Sequence, residues 1–500
     1  TLLSGFITVA AAFNLNAVVP VHINSGNPKY PFPQFVPYEY GKNHKLENLG
    51  TINPEGVVHA EMEQDIRDAY QIFANEWTYT GEVVDGVKYI KGNNGCPYDC
   101  REGDGYALLA AAVMGDKISF DGLWMRMHDR ARNKQPSFKD GTVLNPNYEY
   151  GNNTLADNTN DAATDGDIDI CLAIYIAWKQ WGDDSGVKVF GGKTFSYFDE
   201  MVDVIHGLVE VTTRFQADAE PRRHCSGDIG LDGYMKSGNT WAEITRWASE
   251  NPQNIDGVMT IPEYAGTCIM HVDYLPSGYF DEFYKLFNLL KHPDVTEYEI
   301  NQFKRCAASS DWIVGNWVNQ KSTNIFMGEL LEIKNNNTVV LQPGNQGGRF
   351  RSAWRTALNY TWHGNPDYSW DPDTHQWIEG GNEYELQASK QLSGYMNSPQ
   401  KWGNVDCVQY GGGPKVSYQG PSTLNWDIQP TGIDSAVSTF TLNWVPGTGM
   451  ASAINAEDLD LAGLLYRQCN IEWDAEDFGD GYLTSIPRYF HGFFRWLGMV

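Results

Sequence analysis

Arg101-Glu-Gly-Asp-Gly-Tyr-Ala-Leu-Leu-Ala-Ala-Ala-Val-Met-Gly115 sets one carboxylate, Glu102, at the glycine-flanked mouth of an apolar helix. Gly103 and Gly105 let the backbone approach a ligand closely. The apolar run behind them can sink Glu102 into a low-dielectric rim that disfavours its ionised form. A carboxylic acid held neutral near pH 7 can donate a proton, so Glu102 is a candidate general acid. A plainer reading is a Glu in the first turn of a helix, favoured there by the helix dipole. The string alone fits both.

Some sixty residues on, Asp161-Ala-Ala-Thr-Asp-Gly-Asp-Ile-Asp-Ile-Cys-Leu-Ala-Ile-Tyr-Ile-Ala-Trp178 opens a second helix, with Thr164 or Asp165 as its cap. Ile168, Cys171, Leu172, Tyr175 and Ile176 recur at the spacing of one buried stripe. The acidic residues therefore gather at the open end of the helix. Asp165 and Asp169 are four apart and share a face, whereas Asp167 points elsewhere; Asp165 is the one best placed to face a cleft. Calcium competes for these aspartates. The string nevertheless lacks the glycine at position six and the closing Glu of the twelve-residue calcium loop.

Together the two segments resemble the signatures of glycoside hydrolase family 8, endo-acting enzymes that cleave β-1,4-linked glucan, xylan or chitosan with inversion. The family's acid motif reads S-E-G-x-G-Y-x-M where this chain has R-E-G-D-G-Y-A-L; its second signature, A-[ST]-D-[AG]-[DE], is met in full from Ala163 to Asp167. Similarity extends from about Pro31 to the C-terminus and includes Pro276-Ser-Gly-Tyr-Phe280, which looks like the family's P-S-Y-F with one residue inserted. The resemblance implies an all-α fold, an (α/α)6 barrel of six helical hairpins with long decorated loops. It also implies Glu102 as general acid, Asp165 as the carboxylate gripping the sugar at the cleavage point, and Tyr279 near the nucleophilic water. No metal or cofactor is expected.

The third family segment departs. A string like D-A-x-R usually carries the general base, and the corresponding stretch here is Ser352-Ala-Trp-Arg355. A serine hydroxyl cannot take the water's proton at neutral pH without a base of its own. Another carboxylate has taken over, or the chain is an inactivated variant that still binds carbohydrate, or the register differs. Arg355 matches the motif's arginine, and its fixed fork can orient a carboxylate or a sugar hydroxyl. Tyr106, Trp124, Tyr279, Ser352, Trp354 and Arg355 are the candidate substrate contacts, beside the catalytic candidates Glu102 and Asp165.

Length and patterning agree with this frame. No Pro- or Ser-rich linker divides the 500 residues, so residues 23–500 read as one catalytic domain. Helical periodicity is read near 58–79, 103–115, 118–132, 165–182, 196–213, 279–291, 297–313, 351–363, 382–397, 433–444, 457–472 and 486–498, about the twelve that six hairpins need. In the first of these, Ile66, Ala69, Tyr70, Phe73 and Trp77 form one core stripe. Long loops rich in Gly, Asn, Asp and aromatics are read at 135–160, 214–240, 314–348 and 364–381. The 17 Trp and 27 Tyr suit carbohydrate, because the C–H faces of a pyranose lie flat on an aromatic ring.

Charge narrows the partner. With 36 basic and 63 acidic residues, net −27, the chain repels a phosphate backbone, which argues against nucleic acid. A neutral glucan is indifferent to that field and a cationic chitosan is drawn to it. Charge thus leaves glucan and chitosan both open; the partner that the resemblance implies is a polysaccharide, with glucan placed first and chitosan or xylan as alternatives. No internal segment reads as a membrane span. Residues 1–22 look like the apolar part of a secretion signal, or a helix for self-assembly, and the expected location is secreted or cell-surface. Eight Cys are an even count compatible with disulfides; Cys171 sits on a core stripe and reads as a buried thiol, and Cys96 and Cys100 flank the acid's loop.

Overall fold

A computed structural model describes residues 59–92, 101–134, 164–182, 194–209, 211–214, 222–225, 228–230, 233–235, 253–255, 258–260, 268–271, 274–319, 330–333, 339–342, 349–371, 376–396, 444–470 and 488–500. Residues 1–22, Cys96, Cys100 and the loop 135–160 lie outside them. Twelve helices occur among the described residues: α1 (His59–Ala74), α2 (Arg101–Met114), α3 (Lys117–Lys134), α4 (Thr164–Trp181), α5 (Tyr197–Gly207), α6 (Ser277–Leu290), α7 (Glu297–Asn319), α8 (Arg349–His363), α9 (Tyr384–Met396), α10 (Trp444–Asn455), α11 (Leu459–Asn470) and α12 (Arg488–Met499).

Their packing is a double ring. Helix α2 packs on α4, α6 on α8, α8 on α10, α10 on α12, and α12 back on α2. Helices α4 and α6 meet through side chains, with the Tyr175 hydroxyl donating to Glu282 Oε2 at 3.2 Å and the Tyr279 hydroxyl donating to Asp169 Oδ1 at 3.2 Å. The even-numbered helices thus close an inner ring. The odd-numbered ones lie outside it, α3 against α2, α5 against α4, α7 against α6, α9 against α8, α11 against α10 and α1 against α12. This is an (α/α)6 barrel. Because each inner helix is followed or preceded by an outer one running the other way, the inner helices are parallel and their N-termini share one end.

Sequence explains which helices go where. Helix α4 is buried continuously from Thr164 to Ala177, as an inner helix covered on all sides must be. Helix α1, outside, buries the stripe of Met62, Ile66, Ala69, Tyr70, Phe73 and Ala74 and exposes Glu61 and Gln64. Trp77 lies just past the end of α1 yet is fully buried, in edge contact with Tyr70 and Phe73. Helix α5 starts at Ser196, whose side chain accepts from the Asp199 N–H at 3.4 Å, a standard N-cap.

Two sequence readings are corrected. The helix expected at 433–444 lies, but for Trp444, outside the described residues, while α10 from Trp444 to Asn455 was not read as a helix. Its Pro446, Gly447 and Gly449 punctuate the string like a loop. Gly447 is there because a Cβ would stand 2.0 Å from the Phe494 carbonyl oxygen, so α10 and α12 touch backbone to backbone. The region 314–348 is not all loop, since α7 continues to Asn319 and the strands β1 (Leu330–Ile333) and β2 (Val339–Gln342) follow. Residues 364–381 hold an antiparallel ribbon, β3 (Tyr368–Asp371) with β4 (Gln376–Glu379), in which Trp370 pairs with Trp377. The decoration of the barrel is therefore partly short β-ribbons. Among the described residues no helix is long and apolar enough to cross a membrane.

Candidate active site

The first turns of α2 divide their work among three directions. Glu102 is half-buried and accepts from the Tyr106 hydroxyl at 2.9 Å, an i,i+4 pair on one helix face. Asp104 turns outward and forms a buried ion pair with Arg126 of α3 at 3.1 Å. Gly105 faces α4, where a Cβ would stand 2.9 Å from the Gly166 carbonyl oxygen and 3.4 Å from Asp169 Cβ. The glycine thus serves helix–helix approach; close approach to a ligand, the reason expected of it, is not what its neighbours show. The two motifs are packed glycine to glycine at the mouth of the inner ring.

Helix α4 presents Asp165 and Asp169 on the face that Arg355 of α8 reaches. Asp165 is 6% exposed, and its Oδ1 accepts from the Gly166 N–H at 2.8 Å. Asp169 is fully buried; the Arg355 guanidinium donates to its Oδ2 at 2.5 Å, and Tyr279 donates to the other oxygen. Burial pushes both carboxyls up, Asp169 to about 7, while the Arg355 charge pulls both down and the Asp165 charge adds to the rise at Asp169. One guanidinium therefore serves two carboxylates. It supplies the positive charge that these aspartates would otherwise seek in a cation.

Aromatic rings tie this polar group into one wall. Tyr106 stacks on Phe493 of α12 with centroids 4.0 Å apart and planes within 4°. Phe493 meets Trp354 edge-on at 6.3 Å, and Trp354 meets Tyr279 at 6.3 Å. The Arg355 guanidinium lies 5.0 Å from the Trp354 ring centroid. Glu102, Tyr106, Phe493, Trp354, Arg355, Asp169 and Tyr279 thus form a chain of contacts around the N-terminal end of the inner ring.

The structure brings Glu102, Tyr106, Asp165, Tyr279, Trp354 and Arg355 together and leaves Trp124 out. Trp124 is fully buried on the outer helix α3, stacked against Phe120 and tilted against Phe195, with no face for a sugar. Its place in the sequence near the acid motif misled, because the α2–α3 turn carries it behind the barrel wall. Tyr106, Tyr279 and Trp354 are 0%, 1% and 3% exposed, so they position carboxylates and arginine and offer sugars no ring face. Ser352 falls in the first turns of α8. Sequence reading missed Phe493, whose only signal was membership of an apolar stripe, and gave Asp169 no role although it shares a face with Asp165. Cys171 is buried as expected, its thiol 3.6 Å from the Val204 carbonyl.

A second buried group lies beside the first. Ser277 donates to Glu385 of α9, Asn359 donates to the other Glu385 oxygen at 2.6 Å, and Glu385 shares a hydrogen bond with Asp311 of α7. Burial pushes Asp311 up to about 7 and Glu385 well above the carboxylate range, with the Asp311 charge adding to the rise. Both folded values lie above the unfolded ones, so this contribution to stability is whole below about pH 4, shrinks as pH rises, and is gone above the folded values. Urea midpoints are expected to fall as pH rises from about 4 through about 7, the value of Asp311, and to fall less in Asp311→Asn. Equal declines in the two proteins would remove this pair as the cause.

Comparison with known proteins gives concordant matches. Residues 83–202 match the model described as glycosyl hydrolases family 8. A beta-glucanase of Niallia circulans is 26% identical over 201 residues, 39% of this chain and 42% of that protein. Endoglucanase 2 of Ruminiclostridium josui is 24% identical over 203 residues, 40% and 39% of the two chains. The chain thus spans about two-fifths of the length of these curated relatives. Among solved structures, the beta-1,3-1,4-glucanase of Paenibacillus sp. X4 in its apo form aligns over 95% of this chain and 97% of its own, with a TM-score of 0.56 at 16% identity. A reducing-end-xylose releasing exo-oligoxylanase bound to xylose aligns over 89% and 93%, with a TM-score of 0.51 at 14% identity. At these identities the two structures speak for the fold.

Proposed function

We propose, from the match of residues 83–202 to the model of glycosyl hydrolases family 8, that the protein is an exported endo-acting glycosidase cleaving a β-1,4-linked glucan with inversion. Glu102 protonates the departing oxygen while a base-activated water attacks the opposite face of the sugar. Asp165 grips the sugar at the cleavage point, and Arg355 and Tyr279 line the wall behind it. The observation that carries the reading is the Tyr106–Glu102 pair packed directly against the Asp165–Asp169 face through Gly105 and Gly166. That is an acid set beside carboxylates at the open end of a barrel. The curated relatives are named as a beta-glucanase and endoglucanases, which favours glucan over xylan or chitosan.

The base is a carboxylate supplied from a position other than 352. Release of reducing ends from glucan, xylan and chitosan tests the activity, and Ser352→Asp tests the base. If another carboxylate already serves, the unmodified protein is active and Ser352→Asp is neutral or harmful, since a second negative charge raises the pKa of the true base. Serine at position 352 is also the one observation favouring a second reading, a carbohydrate-binding protein that has lost its base. In that case the unmodified chain cleaves nothing and Ser352→Asp creates hydrolysis.

A further inference from the structure

The ribbon of β3 and β4 follows the C-terminus of α8, at the end away from the mouth, and packs on the outer helix α7. It carries Trp377, the one exposed tryptophan among the described residues, at 38%. Partners fix its indole. The Lys304 ammonium of α7 lies 4.4 Å from the ring centroid, Tyr368 meets the ring edge-on at 5.4 Å, and Trp370, its cross-strand partner, does so at 4.9 Å. The same ammonium lies 4.3 Å from the Tyr368 centroid, and the Tyr368 hydroxyl donates to Asp281 of α6. The ribbon is thus anchored to two helices of the barrel. An indole held this way has little side-chain freedom left to lose when a ligand arrives.

The surroundings of the ring decide what it suits. Alternation along the ribbon puts Tyr368, Trp370, Trp377 and Glu379 on one face and Ile378 on the other. Trp377 therefore has an exposed carboxylate and an ammonium beside it, and the exposed Ile378 does not extend its apolar area. A protein partner wants a broad apolar patch, and a net charge of −27 repels nucleic acid and acidic membrane surfaces. A neutral pyranose fits, since its C–H faces cover an aromatic ring while its hydroxyls reach charged groups at the rim.

We propose that Trp377 is a second polysaccharide-binding site, a platform on which a β-glucan chain rests away from the cleft. The proposal rests on the reading of the protein as a glucan-cleaving enzyme. A polymer long enough to meet both platform and cleft makes its second contact at high effective concentration. A short oligosaccharide in the cleft gains nothing from the platform.

The test is affinity electrophoresis of the full chain in gels containing a soluble mixed-linkage β-glucan, in the Glu102→Gln background so that the polymer is not cut. Adding Trp377→Ala is expected to raise Kd for the polymer about three- to tenfold, the scale of one aromatic stacking contact, with the far-UV spectrum unchanged. With Glu102 intact, Trp377→Ala is expected to lower kcat/KM on the polymer and to leave it unchanged on cellotetraose. Equal retardation with and without Trp377 overturns the proposal, and so does an equal loss of activity on polymer and cellotetraose. A protein that is dimeric in gel filtration and becomes monomeric in Trp377→Ala assigns this face to a second copy and overturns it too. Should Trp377→Ala fail to fold, Trp377→Leu takes its place, because it keeps an apolar side chain but no flat ring; the same weakening is expected, and unchanged retardation overturns the proposal. A chain that neither binds nor cleaves β-glucan with Trp377 in place marks failure of the glycosidase reading, and the proposal falls with it. Cleavage of β-glucan together with retardation indifferent to Trp377 marks failure of the platform alone.

Discussion

Glu102→Gln is expected to lower the rate of glucan cleavage by about 10² to 10⁴ while leaving the fold and polysaccharide binding in place. The amide is isosteric with the acid and can still accept from the Tyr106 hydroxyl, so the contact that orients the side chain survives. What disappears is the proton. The leaving oxygen must then depart as an alkoxide, and the loss belongs in kcat far more than in KM. Kinetics on a soluble β-glucan, paired with binding to the same polymer, separate the two parameters. Turnover at the wild-type rate would take Glu102 out of the mechanism.

Asp165→Asn is the second large effect, a drop in kcat/KM on the order of 10² together with weaker oligosaccharide binding. Its carboxylate stands at the mouth of α4, fixed by the Gly166 N–H and facing Arg355. Replacing it removes the acceptor proposed for sugar hydroxyls and the charge that faces Arg355. Both changes act on the bound sugar, so KM is expected to rise as kcat falls. The opposing result is metal dependence: activity abolished by chelation and restored by calcium would make the acidic cluster a cation site.

Both expectations follow from short strings, and it matters why those were readable. The E-G-x-G-Y and A-T-D-G-D segments work within one or two turns of a helix, where spacing alone decides which side chains share a face. Glu102 with Tyr106, and Asp165 with Asp169, are i,i+4 pairs, and the structure keeps both. Amphipathic periodicity likewise located most of the helices, because burial of one stripe is a local property of the string. It missed α10, where Gly447 is required by the backbone of Phe494, a residue far away in the chain.

Ring closure was beyond the reach of local pattern. Which helices lie inside, that α12 returns to α2, and that Phe493 stacks on Tyr106 are consequences of long-range packing. The same holds for roles. Trp124 and Trp354 look alike as aromatic residues near motifs, yet the turn after α2 buries one behind the wall while α8 sets the other beneath Arg355. Asp169 shows the division best. Its face and its distance from Asp165 were fixed by the sequence of α4. Its partners, an arginine 186 positions away and a tyrosine 110 away, were chosen only when the barrel closed, because a buried carboxylate is stable only where tertiary structure brings it charge and hydrogen bonds.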